Sequence, residues 1–165
     1  MKPTPYDFQK RGGIRILKGG IYLMHDMGVG KTLTCLLAIN YLANKKIPTI
    51  VMANKNAALI TWPDEIKKWF PNLTYVVLHG PNKNTYAAKC HNYDVIILPY
   101  SSVIWWLEMA RKRIIKYKKY CLIMDESSFL KNCKTKRWQI TEAAEPLWLR
   151  NRACLSGTPM PRTDA

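Results

Sequence analysis

Two short stretches carry residue types and spacings suited to chemistry on a phosphate. The first is Asp26-Met27-Gly28-Val29-Gly30-Lys31-Thr32, which follows the apolar run Ile21-Tyr22-Leu23-Met24 and opens a segment of helical period. Gly28 and Gly30, with Val29 between them, let the backbone turn tightly and bring N–H groups against phosphate oxygens. A helix beginning near Lys31 points its positive dipole end at the same anion. In the loop pattern G-x-x-x-x-G-K-[ST] the lysine reaches the β- and γ-phosphates and the hydroxyl ligates Mg²⁺, roles that fall to Lys31 and Thr32. His25 stands where that pattern has its first glycine. The second stretch is Cys121-Leu122-Ile123-Met124-Asp125-Glu126. Four apolar residues ending in two acids form a Walker B arrangement at the carboxyl edge of a strand, where ligands bind in open α/β sheets. Asp125 is the candidate to hold Mg²⁺ through water, and Glu126 to orient and deprotonate an attacking water. The expected catalytic set is therefore Lys31, Asp125 and Glu126, with Thr32 and Asp125 on the metal. Asp125 is expected at the end of a strand neighbouring the one that precedes the loop.

These two stretches need a sheet with its strand ends aligned. Short apolar runs recur at 21–24, 49–53, 75–78, 95–98, 121–124 and 153–156, nearly continuous rather than alternating, as strands buried on both faces read. Between them the spacing predicts helices at 5–18, 31–44, 57–70, 100–119 and 135–148. Over 31–44, Leu33, Leu36, Leu37, Ile39 and Leu42 form a broad apolar face. Strand–helix alternation in 165 residues without an internal linker predicts one α/β domain, 1–165, with a mostly parallel sheet and helices on both faces.

Composition narrows the partner classes. Lys and Arg number 26 against 11 acids, a net charge of +15, which favours a polyanion and nucleic acid first. Arg111-Lys112-Arg113, with Lys116, Lys118 and Lys119, precedes the acidic pair's strand, and Lys131, Lys134, Lys136 and Arg137 follow it. Such cations position a protein on phosphates without reading bases. No apolar run approaches the ~18 residues of a membrane span, and the start lacks a secretory apolar core. Five cysteines without C-x-x-C pairs read as free thiols rather than a disulfide framework or zinc site. Of the adjacent Trp105 and Trp106, one belongs to the core. Trp62 and Trp69 read as packing residues.

Taken in order, the motifs resemble those of the first RecA-like lobe of superfamily 2 helicases and translocases of the SWI/SNF type. Pro5-Tyr6-Asp7-Phe8-Gln9 resembles the Q motif, which implies that Gln9 contacts adenine. Leu23-Met24-His25-Asp26-Met27-Gly28-Val29-Gly30-Lys31-Thr32 resembles motif I, whose family form already lacks the first loop glycine. Trp62-Pro63-Asp64-Glu65-Ile66-Lys67-Lys68-Trp69-Phe70-Pro71 resembles the segment after motif Ia, and Tyr93-Asp94-Val95-Ile96-Ile97-Leu98-Pro99-Tyr100 resembles motif Ib or Ic. Asp125-Glu126-Ser127-Ser128-Phe129-Leu130-Lys131-Asn132 resembles motif II, with Ser128 where the family has His. Leu155-Ser156-Gly157-Thr158-Pro159 resembles motif III, which implies that Ser156, Gly157 and Thr158 couple nucleotide to DNA.

The resemblance implies a RecA-like P-loop, three-layer α/β domain that binds ATP and Mg²⁺ and works on double-stranded DNA, contacting it through residues such as Arg111, Lys112, Arg113 and Lys131. It also implies a second RecA-like lobe, in cis or in trans, whose motif VI arginines have no match in these residues. The expectation is an ATP-binding lobe of a DNA-dependent ATPase, incomplete for hydrolysis by itself. The competing expectation is a non-catalytic lobe that binds DNA or protein. The Ser-Ser form of motif II resembles virus-encoded members, which places the expected location in a cytoplasm, a host's if viral, with the nucleus left open. No membrane partner is expected.

Overall fold

The computed structural model describes residues 4–19, 21–24, 30–112, 120–126 and 148–156. Its elements run in the order α1 (Asp7–Lys18), β1 (Ile21–Met24), α2 (Lys31–Asn44), β2 (Thr49–Ala53), a π-helical turn (Ala57–Thr61) continuing into α3 (Trp62–Trp69), β3 (Tyr75–Val77), α4 (Lys83–Lys89), β4 (Val95–Pro99), α5 (Val103–Arg111), β5 (Tyr120–Met124) and β6 (Trp148–Ser156). Among the described residues six strands form one sheet in the order β1-β6-β5-β2-β4-β3. Every pairing is parallel. All strands therefore end on one edge, the carboxyl edge.

Strand side chains divide by period two between two cores. Ile50, Met52, Ile96, Leu98, Leu122 and Met124 face α4 and α5, where Trp106 and Leu107 meet them. Val51, Ala53, Val95, Ile97, Cys121 and Ile123 face α1, α2 and α3, where Ile16, Leu36, Ile39, Trp62 and Ile66 meet them. The sheet is thus a middle layer covered on both faces, as the continuous apolar runs require.

Helix α2 spans the residues expected, and its predicted apolar face is buried at Leu33, Leu36, Ile39 and Leu42. The helix expected over 57–70 is real but interrupted. Pro63 removes the N–H that an uninterrupted α-helix would send to the Leu59 carbonyl, and the backbone widens to a π turn just before it. Helix α4 was not expected, because its Lys83–Lys89 sequence buries only Ala87 and shows no apolar stripe. The expected helix 135–148 lies outside the described residues except at its end, where Trp148 instead opens β6. Residues 113–119 of the expected helix 100–119 also lie outside them.

Cys35, Cys90 and Cys121 are buried free thiols. Burial holds them protonated: the Cys90 pKa is pushed up to about 11 and that of Cys121 to about 12. Trp106 is the core member of the tryptophan pair at 1% exposure. The Trp105 ring lies under the Lys83 ammonium, 4.6 Å from its centroid, and its indole donates to Asn84 Oδ1 at 3.1 Å. Among the described residues no helix is long and apolar enough to cross a membrane.

Candidate active site

The site is assembled at the carboxyl edge. β1 leads into the phosphate-loop segment, β5 ends at Met124 before the acidic pair, and β6 ends at Ser156. Asp125 does not follow a strand neighbouring β1. β6 lies between them, with Met24 level with Ser156 on one side and Met124 level with Cys154 on the other. A parallel sheet accommodates this insertion without displacing the strand ends, because all three strands stop at the same edge. The strand that opens the Ser156-Gly157-Thr158 segment therefore runs between the two halves of the site.

Loop residues Gly28 and Val29 lie outside the described residues, as do Gly157 and Thr158. Gly30 caps α2 in the left-handed region, φ 80° and ψ 37°. Its carbonyl accepts the Thr34 N–H at 3.1 Å and so closes the first helical turn. A Cβ at Gly30 would collide with the Gln9 amide nitrogen. The left-handed backbone favours glycine at this position, and any larger residue would also have to push the Gln9 side chain aside. Lys31 and Thr32 are the first two residues of α2, half-buried, at the end where the helix dipole favours an anion.

Gln9 is buried at 4% exposure on α1, and its Oε1 accepts the Tyr6 N–H at 2.9 Å. That bond leaves the amide nitrogen against Gly30 and orients the side chain toward the start of α2. Two exposed rings, Tyr6 and Phe8, stack at 5.8 Å between centroids beside it.

The acidic pair is held from both faces of the sheet. The Trp62 indole N–H donates to Asp125 Oδ2 at 2.8 Å, the Tyr100 hydroxyl donates to the Asp125 carbonyl at 2.7 Å, and the Asp125 N–H donates to the Met52 carbonyl at 2.8 Å. Burial raises the Asp125 pKa above the ordinary carboxylate value; Trp62 and Lys31 oppose the rise and Glu126 adds to it. The Lys31 ammonium thus lies near enough to act on the Asp125 carboxylate although their strands are not adjacent. Glu126 adopts φ 48°, a left-handed conformation that costs a non-glycine residue about 1–2 kcal/mol. Its Oε2 accepts from Asn54 Nδ2 at 3.0 Å.

Trp62 was expected only to pack. It does pack, at 0% exposure, and it also fastens Asp125. Asn54 and Tyr100 carried no expectation of a site role. The available signal was position, since Asn54 directly follows the predicted strand 49–53 and Tyr100 lies two residues past the predicted strand 95–98, at the end of the stretch that resembles motif Ib or Ic.

The candidate nucleic-acid residues divide differently. α5 leaves the carboxyl edge after β4 and returns toward the amino edge, where β5 starts, so Arg111 and Lys112 at its end stand on the opposite edge from the acidic pair. Lys112 is exposed there. Arg113 and Lys131 lie outside the described residues. Among the described residues no group of three or more His, Cys, Asp or Glu could hold a metal without help from a ligand.

Comparison with known proteins agrees with this architecture. Residues 15–165 match the SNF2-related domain family. The chain is 31% identical over 147 residues to the ISWI chromatin-remodeling complex ATPase ISW2 of Saccharomyces cerevisiae, covering 84% of this chain and 12% of that protein. It is 30% identical over 168 residues to the human SWI/SNF-related matrix-associated actin-dependent regulator of chromatin subfamily A member 1, covering 93% of this chain and 15% of that one. The fold superposes on the Sulfolobus solfataricus SWI2/SNF2 ATPase core in complex with dsDNA with a TM-score of 0.78 at 26% identity, covering 99% of this chain and 34% of that core. The chain thus spans a small part of its curated relatives and about a third of that solved core. A RecA-like parallel sheet, a helix N-terminus facing a half-buried acid across one edge, and similarity along nearly the whole chain lead to one conclusion: the chain belongs to the SNF2-related family.

Proposed function

We propose that these residues form the ATP-binding lobe of a DNA-dependent translocase. The observation that carries the reading is the convergence at the carboxyl edge: the N-terminus of α2, bearing Lys31, lies within electrostatic reach of an Asp125 that Trp62 and Tyr100 hold in place. The donor set fits a magnesium nucleotide. Trp62 occupies Oδ2 of Asp125, and the carboxylate, made costly by burial, gains from a cation. Lys31 would hold the β- and γ-phosphates, Gly28, Val29 and Gly30 the phosphate cradle, Thr32 and Asp125 the Mg²⁺, and Gln9 the base. The nucleotide, when bound, supplies the phosphoryl group to be transferred. Glu126, aimed by its left-handed backbone, orients and deprotonates the water.

The reading extends to DNA through the net charge of +15 and the similarity to a core solved with dsDNA. Arg111, Lys112, Arg113 and Lys131 are the proposed phosphate contacts, the first two on an edge away from the nucleotide, where they would anchor rather than catalyse. Ser156, Gly157 and Thr158 would link the two sites through β6. Most of the solved core lies outside the match. Transition-state charge stabilisation from an opposing arginine is worth about 10³–10⁵ in rate in related sites, so the 165-residue chain by itself should turn over slowly.

Titration calorimetry with Mg·ATP tests the core of the proposal. Lys31→Ala should weaken binding by about 1.5–3 kcal/mol through loss of a charge-assisted contact. Equal affinity in both proteins rejects the site. For the DNA part, log K should fall with log salt at about −0.9 per phosphate contacted, with roughly 3–5 contacts. A flat response rejects it.

A further inference from the structure

We infer that Asn54 is a positioning residue for Glu126, and that its side chain joins the acidic pair to the start of the 57–69 helical segment. This inference rests on the nucleotide reading above. Asn54 is the first residue beyond β2, at the carboxyl edge, half-buried. Its amide makes two bonds in opposite directions. Oδ1 accepts the Ala57 N–H at 2.8 Å and so caps the helical segment that follows. Nδ2 donates to Glu126 Oε2 at 3.0 Å, a contact between residues far apart in sequence.

The two bonds settle the amide's orientation. A backbone N–H needs an acceptor, so Oδ1 faces Ala57, and Nδ2 is left to meet a carboxylate, which needs a donor. Neither aspartate nor leucine at this position could do both. Eight residues further on, the same segment presents Trp62 to Asp125. Each acid is therefore bound to one end of a single stretch, 54–62, which includes the π turn, a backbone feature frequent at functional sites. Glu126 needs such a constraint. Its left-handed backbone fixes where the side chain leaves the chain, but three further torsions decide where the carboxylate arrives. Misplacement of a reacting group by about 1 Å can cost on the order of 100-fold in rate.

Asn54→Asp separates the two bonds. Aspartate keeps the acceptor that caps Ala57 and puts an oxygen where the donor faced Glu126. The full chain is studied as wild type, Asn54→Asp, Asn54→Ala, Glu126→Gln and the Asn54→Asp/Glu126→Gln pair. In thermal unfolding without ligand, Asn54→Asp should lower Tm with Glu126 present and leave it unchanged in the Glu126→Gln background, where the new amide can donate to the aspartate. An equal loss in both backgrounds overturns the contact. In single-turnover ATP hydrolysis with protein in excess, both Asn54 variants should slow the reaction about 10- to 100-fold, with ATP affinity held within about twofold because Asn54 is not among the residues proposed to hold the nucleotide. Neither should slow it further in the Glu126→Gln background. Asn54→Asp at the wild-type rate would show a helix cap and nothing more. Binding of ATP by the wild type with no phosphate release over hours would also overturn the positioning role. Failure of the nucleotide reading looks different: the wild type does not bind ATP, while the Tm comparison still reports the Asn54–Glu126 contact.

Discussion

Each face of the sheet buries a tryptophan completely, and the two are put to different use. On the α4–α5 face, Trp106 meets the Tyr120 ring edge-on, 6.2 Å between centroids at 76°, among Ile50, Leu98 and Leu122. On the α1–α2–α3 face, Trp62 packs among Ala58, Ile66 and Val51 and sends its N–H to the Asp125 carboxylate. The first face fills space. The second fills space and also presents Gln9, Gly30, Lys31, Asn54 and Trp62 to the carboxyl edge. The contribution of the first face to the site is a backbone contact, Tyr100 to the Asp125 carbonyl. Hydrophobic burial therefore divides almost evenly between the faces, whereas polar positioning concentrates on one. Substitutions on the two faces should separate accordingly in stability and ligand binding.

The largest expected effect is on the space-filling face. Trp106→Ala should destabilise the chain by about 3–5 kcal/mol through lost burial and a residual cavity, measured by denaturant unfolding. ATP affinity of the fraction that remains folded should not change. An affinity loss comparable to that of Lys31→Ala would erase the distinction between the faces.

Trp62→Phe keeps most of the packing and removes the donor. It should cost about 1.5–3 kcal/mol, the range for a hydrogen bond to a charged group, and it should weaken Mg²⁺-dependent ATP binding. Trp106→Phe should leave that binding alone. If both Phe variants bind Mg·ATP equally well, Trp62 is packing only.

Asp125→Asn sharpens the comparison through pH. The folded-state pKa of Asp125 is raised, first by burial. Between the unfolded value of 3.8 and the raised folded value the native chain holds more protons than the unfolded chain, so stability falls as pH rises through that window. Ionised Asp125 thus detracts from stability at neutral pH. Asp125→Asn should melt higher than wild type at pH 7, with the advantage shrinking as pH falls below the window. A constant difference across pH would show that the change is in packing rather than charge.

The smallest effect compares two left-handed residues. Lys46 (φ 58°) lies in the turn after α2 and Glu126 (φ 48°) follows β5. Lys46→Gly should stabilise by roughly 0.5–1 kcal/mol, since glycine carries no steric cost in this conformation. Glu126→Gly should gain less, because it also loses the bond from Asn54. Equal gains in thermal unfolding would imply that the Asn54 contact contributes nothing to the ligand-free chain.

Much of this was legible in one dimension. Period and apolarity located the six strands of the described residues, β6 only over its last four, and the bounds of α2, because a strand buried on both faces must be apolar throughout and a helix lying on it must repeat its apolar residues every three to four positions. The phosphate loop and the acidic pair were legible for a related reason: backbone cradles and metal ligands demand particular residue types at particular spacings. What spacing could not convey was which strand lies next to which. Strand order depends on crossovers that pass over the sheet, and so β6 came to lie between β1 and β5. Nor could it show that Asn54 and Trp62 fasten Glu126 and Asp125, residues 72 and 63 positions away. A tryptophan followed by proline reads as packing, and an asparagine after a strand reads as a turn. Each acquires its second partner only when the β2 and β5 ends come side by side in the folded sheet, and that proximity is a property of the tertiary structure alone.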